Sequence, residues 1–419
     1  MFAIASIIVT LAALFSFVNR RYLRMPPTVG VMLLAMIASL GIALLGGIDG
    51  GVIRHHVSDL IGGIDFNKTL LHGALAFLLF AGALHLDLGD LKRQWLVVML
   101  LSLLGTAVST LAVGAGMFYA LAWMGMGLPW IACLLFGALI SPTDPVAILG
   151  IVQSAGAPRE LQTQIVAESL FNDGVGVVLF LTLLTLATGS QTPTVGSTAA
   201  LLARQAVGGG LVGLTTGFIA FEFLRRIDEY KVEVLITLAL AMGGYSLADA
   251  FGVSAPIATV VAGLLIGNQG RAFAMSRITI ERLDIFWELI DDILNVVIFM
   301  LVGMEMLIMF FRPAFLLAGT AAIIVSLLAR WVSVTGIIGT LRGTGMPFCR
   351  GTIRILTWGG LRGGLALAMA LALPPRGDRD LLLATTYCVV VFSVLVQGLT
   401  FRPLVRRYCR GGAVEMPVG

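Results

Sequence analysis

Long apolar stretches separated by short polar connectors run along the whole chain. A bilayer core about 30 Å thick is crossed by a helix of about 20 apolar residues, and this length predicts about thirteen membrane-spanning segments. Only a tight turn separates the eighth and ninth segments, and the two longest connectors, 49–68 and 269–288, are expected to form amphipathic helices on the membrane surface. The predicted segments are 2–19, 27–48, 69–86, 94–124, 128–153, 159–187, 197–224, 231–251, 254–268, 289–311, 313–341, 350–373 and 380–403.

The composition places the chain in the class of integral membrane proteins. Of the 419 residues, 58% are hydrophobic and 12% are charged, whereas soluble domains carry about 25% charged residues. The prediction is an all-α polytopic membrane protein surrounded by lipids, without a nucleic-acid partner. The four cysteines share no spacing typical of a disulfide framework or a metal site, so no resident cofactor is expected.

The basic residues are distributed unevenly between the two sides of the predicted membrane. Nineteen of the 27 Lys and Arg residues lie at the ends and loops on the side reached by odd-numbered segments, and six lie on the other side. The remaining two, Arg330 and Arg362, lie deep inside segments. Because cytoplasmic loops carry the excess of Lys and Arg, we expect a protein of the plasma (inner) membrane with its N-terminus outside and its C-terminus in the cytoplasm. This orientation requires an odd number of spans.

Two of the predicted segments contain residues that interrupt a helix. The fifth contains SPTDP at 141–145, where two prolines disfavour helical backbone. The twelfth contains WGGLRGG at 358–364, with four glycines around Arg362. Such backbone is tolerated at membrane depth only inside protein or beside a wet cavity. If spans 1–6 and 8–13 form an inverted repeat, the two interruptions correspond, and matched interruptions point to a transporter site.

The charged residues in these interruptions suit the ends of half-helices. The N-terminal end of a helix carries partial positive charge and the C-terminal end partial negative charge, each about half an elementary charge. Asp144 lies where the second half of segment 5 would begin, and Arg362 suits the negative ends. The alternative for Arg362 is a loop residue or one that reaches to the membrane interface.

The sequence ESLFNDGVGVVLF, residues 168–180, places acidic and amide groups inside the very apolar sixth segment. Asp173 lies close to the middle of that segment, where a charged residue costs at least about 2.5 kcal/mol and by default marks a functional site. Ser169 shares a helix face with Asp173, and Glu168 shares an adjacent face with Asn172. Their oxygen atoms suit hard cations such as sodium and lithium.

Further oxygen atoms for such a cation are available in the interrupted fifth segment. Thr143 and Asp144 are the candidates that would complete the shell around a cation bound at Asp173. The alternative for the polar residues of segment 6 is a purely structural network that holds helices together.

Arg330 lies inside the eleventh segment, in the sequence SLLARWVSV. An unpaired arginine at this depth would be costly, so it needs a partner, and Glu168 is the candidate. The pair would be structural and would leave Asp173 to exchange ligands. The alternative is that Arg330 faces a wet cavity.

Four motifs occur in the order SPTDPVAILG, ESLFNDGVGVVLF, LLAR and WGGLRGGLALAMAL. They resemble the cation/proton antiporter superfamily, NhaP type, which is related to the eukaryotic sodium/proton exchangers. The resemblance implies a thirteen-helix, inverted-repeat antiporter fold with two crossed discontinuous helices, spans 5 and 12. It also implies a homodimer that works by elevator-type alternating access.

The resemblance further implies a division of the chain into two domains. A dimerisation domain would comprise 1–90 (spans 1–3) and 231–311 (spans 8–10). A core ion-transport domain would comprise 91–190 (spans 4–6) and 312–405 (spans 11–13). Residues 191–230 would form the linking span 7, and 406–419 a short cytoplasmic tail.

The resemblance also assigns roles to the residues named above. It implies that Asp173 binds the cation and the proton, with Asn172 as its partner, Ser169 and Thr143 in the ion shell, Asp144 and Arg362 compensating the crossed helices, and Glu168 and Arg330 as a buried ion pair. One departure is the third segment, where relatives often carry an acidic residue and this chain has Ala81. The ligand that replaces it is left open.

A single carboxylate at the centre of a membrane holds either a proton or a cation. If the protein moves only when Asp173 is neutralised, the two ions must exchange. Asn172 beside Asp173, instead of a second aspartate, indicates one exchangeable charge, so electroneutral one-for-one exchange of sodium or lithium for protons is expected. A potassium/proton antiporter and a cation channel are the alternatives. An enzyme is not expected, because the spans contain no His-x-x-His, metal-binding or Ser–His arrangement.

Overall fold

A computed structural model describes residues 2–46, 73–144, 152, 157–189, 195–305, 313–346, 348–349, 351–374, 377–409 and 414–415. The described part is almost entirely helical, which confirms the all-α prediction. Two short strands, β1 (Phe348–Cys349) and β2 (Val414–Glu415), pair antiparallel with Phe348 opposite Glu415. This pairing joins the loop before the twelfth segment to the end of the chain.

The helices follow the predicted segments in order. Their bounds are α1 (Phe2–Val18), α2 (Pro27–Gly46), α3 (Leu75–Leu84), α4 (Leu88–Trp123), α5 (Trp130–Ile140), α6 (Arg159–Thr188), α7 (Val195–Leu224), α8 (Tyr230–Ala250), α9 (Ala255–Leu265), α10 (Arg277–Glu305), α11 (Pro313–Gly343), α12 (Thr352–Trp358), α13 (Gly364–Leu371) and α14 (Arg379–Tyr408). Within the described residues, seven helices are long and apolar enough to cross a membrane: α1, α4, α6, α7, α8, α11 and α14.

The tight turn between the eighth and ninth segments separates two helices. α8 ends at Ala250, and Gly252 adopts a left-handed conformation with φ of 64°. The hydroxyl of Ser254 then accepts a hydrogen bond from the backbone N–H of Ile257, at 3.4 Å, and so caps the start of α9. The short polar sequence is therefore sufficient to reverse the chain.

Helix α10 corrects the prediction for the connector 269–288. Residues from Arg277 onward are not a separate surface helix but the first part of the continuous helix α10. Leu283 and Trp287 are fully buried, and the indole N–H of Trp287 donates to the hydroxyl of Thr237, at 3.1 Å. The charged residues around them, Glu281, Arg282, Asp284 and Glu288, lower the mean hydropathy of this stretch and so conceal the packed face in the sequence. The other connector, 49–68, lies outside the described residues.

The packing of the helices is that of a protein surrounded by lipid. Large apolar side chains such as Phe218, Leu235 and Leu317 are exposed on the outer helix faces. Inside the bundle, glycines allow close approach of backbones: a Cβ on Gly137 of α5 would lie 2.2 Å from the carbonyl oxygen of Thr110 in α4. Small residues at such contacts are typical of helix packing in membranes.

The two interrupted segments meet inside the bundle. α5 ends at Ile140, and the described residues that follow, Ser141 to Asp144, are not helical. The second interruption lies between α12 and α13, at 359–363. The backbone N–H of Asp144 donates to the carbonyl oxygen of Leu361, at 2.8 Å. The two non-helical stretches therefore lie side by side, while residues 145–151 and 153–156 lie outside the described residues.

Candidate functional site

Arg362 closes the C-terminal end of helix α5. Its side chain is buried, and its Nη1 donates to the carbonyl oxygens of Ser141 and Pro142, the latter at 2.6 Å. The last carbonyl groups of a helix have no partner within the helix and carry partial negative charge. A buried guanidinium supplies both the donors and the positive charge. Arg362 therefore does not reach to a membrane interface, the alternative considered from the sequence.

Arg330 closes the C-terminal end of the other interrupted helix. Its Nε and Nη2 donate to the carbonyl oxygen of Leu356, in the last turn of α12, at 3.3 and 3.2 Å. Its Nη1 forms an ion pair with the carboxylate of Glu168, and both side chains are buried. Arg330 thus satisfies a helix end in addition to pairing with Glu168. The sequence suggested the pair but not the contact with Leu356.

Asp144 lies at the start of helix α13. A Cβ placed on Gly363, the residue before α13, would lie 2.0 Å from Oδ2 of Asp144, so the carboxylate is packed directly against the backbone there. The N-terminal end of a helix carries partial positive charge and free N–H groups. The carboxylate of Asp144 therefore lies beside the positive end of a half-helix, the position expected for it from the sequence.

This contact predicts that Gly363→Ala destabilises the protein. The backbone of Gly363 has φ of −110°, which any residue can adopt, so the effect is purely the clash of the new methyl group with Asp144. Overpacking of this kind costs about 1–3 kcal/mol. We expect a lower midpoint of thermal unfolding in detergent for Gly363→Ala.

Gly336→Ala is the matched control for this substitution. Gly336 lies in α11, and a Cβ placed on it meets no other atom within 4 Å. Alanine is a better helix former than glycine by up to about 1 kcal/mol, so this variant should be at least as stable as the wild type. Equal unfolding midpoints for Gly363→Ala and the wild type would contradict the close packing of Asp144.

Thr143, Asn172 and Ser169 form a buried polar cluster beside the first interruption. The backbone N–H of Thr143 donates to Oδ1 of Asn172, at 3.2 Å, and Nδ2 of Asn172 donates to the hydroxyl oxygen of Thr143, at 2.8 Å. The hydroxyls of Thr143 and Ser169 are 3.0 Å apart and share a hydrogen bond. Asn172 therefore holds Thr143 from two sides, and helix α6 positions the non-helical stretch.

A cavity of about 70 Å³ lies next to this cluster. The polar side chains among the described lining residues are those of Thr143, Asp144, Asp173 and Asn295 of α10. Asp173 is the fifteenth of the 30 residues of α6, so the cavity lies at the middle of that helix. The volume admits a small cation or a few water molecules.

The residues proposed from the sequence for the cation shell therefore occupy two positions. Asp173, Asp144 and Thr143 line the cavity, whereas Ser169 and Asn172 contact Thr143 and are not among the lining residues described. Ala81 is also buried elsewhere, in the apolar cluster that contains Phe80 and Trp287. The α3 residues that line the cavity are Leu75, Leu78 and Leu79.

Sequence reasoning missed three polar residues near the interruptions. The hydroxyl of Ser393 accepts a hydrogen bond from the backbone N–H of Arg362, at 2.8 Å, and Nε2 of Gln397 donates to the carbonyl oxygen of Trp358, at 3.0 Å. Both lie in the π-helical part of α14. Like Asp173, these two residues and Asn295 are polar residues within apolar stretches of the sequence. The same sequence signal that identified Asp173 could therefore have identified them.

No group of three or more His, Cys, Asp or Glu residues with the geometry of a metal site occurs among the described residues. Cys133, Cys349 and Cys388 are free thiols. The polar groups of the described residues that line the cavity are the carboxylates of Asp144 and Asp173, the hydroxyl of Thr143 and the amide of Asn295.

Comparisons with known proteins agree with the fold and the motifs. The model of the family described as "Sodium/hydrogen exchanger, transmembrane" matches residues 7–407. The chain is 46% identical over 416 residues to the Na⁺/H⁺ antiporter NhaP of Pseudomonas aeruginosa, with 98% of each chain covered. It is 37% identical over 349 residues to the Na⁺/H⁺ antiporter NhaH of Halobacillus aidingensis, which covers 82% of this chain and 83% of that relative.

A solved structure shows the same fold. The sodium proton antiporter MjNhaP1 of Methanocaldococcus jannaschii matches with a TM-score of 0.73 and 21% identity, over 96% of this chain and 97% of that one. Together with the apolar helices, these matches indicate an integral membrane protein. The match of the family model over nearly the full length, and the identity to the bacterial relatives, show that this chain belongs to the sodium/hydrogen exchanger family.

Proposed function

We propose that this protein exchanges sodium or lithium for protons across the plasma (inner) membrane, with Asp173 binding the cation and the proton in turn. The observation that carries the proposal is the position of Asp173. It lies at the centre of α6 and lines a cavity beside two interrupted helices. Membership of an exchanger family, rather than of an enzyme family, supports the same conclusion.

The proposed cation shell is built around Asp173 from oxygen atoms, which are the ligands that hard cations prefer. Thr143 and Asp144 line the same cavity as Asp173 and would contact the cation there. Ser169 and Asn172 would contribute through Thr143, because both contact its hydroxyl group. Binding of a proton to Asp173 would remove the negative charge that holds the cation, so the two ions would compete.

We propose that the exchange is electroneutral. Asn172 is neutral and held by Thr143, Glu168 is paired with Arg330, and Asp144 faces the positive end of α13. Asp173 is then the single carboxylate of the site whose charge changes during transport, and one proton is exchanged for one monovalent cation.

This stoichiometry predicts that a membrane potential does not drive sodium-dependent proton movement. Proteoliposomes with a potassium gradient and valinomycin should show the same initial rate of sodium/proton exchange at positive, zero and negative potential. Solid-supported membrane recordings should show no sustained transport current. A current whose sign follows the sodium gradient would contradict one-for-one exchange.

The proposed architecture has thirteen spans, with the N-terminus outside, the C-terminus in the cytoplasm, and spans 5 and 12 as crossed half-helices in an inverted repeat. The hydrogen bond from Asp144 to Leu361 supports the crossing. The closest packing also falls into two groups. In one, α2 packs against α10, and α3 and α7 pack against α9; in the other, α4 packs against α5 and α11, and α11 packs against α14. These groups support the division into a dimerisation and a core domain, and with it a homodimer and an elevator movement.

The proposed activity is tested by dissipation of a preset pH gradient in proteoliposomes on addition of sodium, lithium or potassium. We expect the fluorescence of a dye that reports the pH gradient to recover on addition of sodium or lithium, but not on addition of potassium. Recovery with potassium alone would indicate a potassium/proton antiporter. Cation movement without proton movement would indicate a channel and would overturn the proposal.

A further inference from the structure

Helices α3 and α10 also contribute residues to the lining of the cavity. Most of the described lining residues from these two helices are apolar, namely Leu75, Leu78 and Leu79 of α3 and Ile298 of α10. Asn295 of α10 is the polar residue among the described lining residues of these two helices. Helix α10 packs most closely against α2, whereas α13, which follows the Asp144 contact, packs most closely against α14.

The hydrogen bonding of Asn295 orients its amide group. Its side chain is 3% exposed, and Nδ2 donates to the backbone carbonyl oxygen of Asp291, one turn earlier in α10, at 2.8 Å. Because a carbonyl oxygen only accepts hydrogen bonds, the nitrogen must be the atom on that side. The side-chain oxygen Oδ1 is then the acceptor that Asn295 offers to the cavity.

We propose that Oδ1 of Asn295 contacts the transported cation and sets its affinity from the α10 side. The inference rests on the proposed function and adds a residue that neither the motifs nor the resemblance identified. In this chain α3 presents leucines to the cavity, so it supplies no carboxylate among its described lining residues. An amide oxygen replaces that ligand without adding a charge, which agrees with an exchange that moves no net charge.

The test compares the half-saturating sodium concentration and the maximum exchange rate of three variants in proteoliposomes. Asn295→Leu has a similar volume but no oxygen, and we expect its half-saturating concentration to rise about five- to tenfold, the equivalent of one lost polar contact. The maximum rate should stay close to that of the wild type, as for the loss of a contact made in binding alone. Asn295→Asp adds a charged ligand and should lower the half-saturating concentration.

Gln205→Leu is the matched control. The amide of Gln205 also donates to a backbone carbonyl, that of Gly252 at 3.4 Å, but it lies outside the described lining of the cavity. This variant should keep the wild-type half-saturating concentration. Asn295→Leu with an unchanged half-saturating concentration would overturn the inference. If Asn295→Leu fails to yield monodisperse protein, Asn295→Asp decides: an unchanged or raised half-saturating concentration overturns the inference.

The failure of this inference is distinguishable from failure of the proposed function. If the wild type shows no exchange dependent on sodium or lithium, the proposed function itself is wrong. If the wild type exchanges and Asp173→Asn does not, while Asn295→Leu binds sodium as the wild type does, only the role of Asn295 is wrong.

Discussion

Asp173→Asn is expected to reduce sodium-dependent proton exchange to the level of protein-free liposomes. Asparagine has nearly the same shape as aspartate, so α6 and the cavity should be retained. The amide neither takes up a proton near neutral pH nor balances the charge of a cation. The variant should therefore bind neither of the two ions that the proposed mechanism exchanges. The measurement is dissipation of a pH gradient in proteoliposomes at several sodium concentrations, with size-exclusion chromatography as the check on folding.

Asp292→Asn is the matched control for this experiment. It makes the same chemical change at an exposed carboxylate of α10 that does not line the cavity among the described residues. It should retain exchange, whereas Asp173→Ala should behave as Asp173→Asn does. Exchange at the wild-type rate in either Asp173 variant would remove the central element of the proposed mechanism.

Arg330→Met is expected to give the largest loss of stability. The substitution leaves the buried carboxylate of Glu168 without its ion-pair partner and the carbonyl oxygen of Leu356 without its donors. Removing one partner of a buried ion pair costs about 3–5 kcal/mol, because an uncompensated charge remains in the interior. We expect a markedly lower midpoint of thermal unfolding in detergent, measured by tryptophan fluorescence.

The double variant Glu168→Gln/Arg330→Met separates the two contacts of Arg330. It removes both charges, so the part of the loss that comes from the unpaired carboxylate should be recovered. The part that comes from the uncapped end of α12 should remain, because Leu356 still lacks a donor. Full recovery would show that the contact with Leu356 contributes nothing, and a wild-type midpoint for Arg330→Met would show that the pair is not structural.

The structural role of the pair also predicts how transport responds. Glu168→Gln should lower stability without a large change in half-saturating sodium concentration in the protein that remains folded, because Glu168 is paired with Arg330 and is not among the described residues that line the cavity. A strong change in sodium affinity would instead place Glu168 in the cation shell.

The sequence alone was sufficient for the helical class, the order of the segments and the two interruptions. These features depend on local properties: the length of apolar stretches, the missing N–H of proline, and the cost of a charge at membrane depth. Asp173 was identified on the same ground, since no neighbouring residue in the chain explains a carboxylate in that position. The exception is the start of α10, where charged residues on one face hid the packed face of Leu283 and Trp287.

The sequence suggested the Glu168–Arg330 pair, but only the tertiary structure decided the other contacts of the buried polar groups. Arg330 and Glu168 are 162 positions apart, and Arg362 and Ser141 are 221 apart. The sequence predicted two arginines at membrane depth and two negative helix ends, but not which arginine contacts which end. In the structure Arg362 contacts the C-terminal end of α5 and Arg330 contacts that of α12. The structure also shows that Ser169 and Asn172 contact Thr143 and are not among the described lining residues, whereas Asn295 lines the cavity. The physical reason is that hydropathy and helix periodicity depend on neighbours in the chain, whereas a buried charge or amide is satisfied by whichever distant backbone the fold brings within hydrogen-bonding distance.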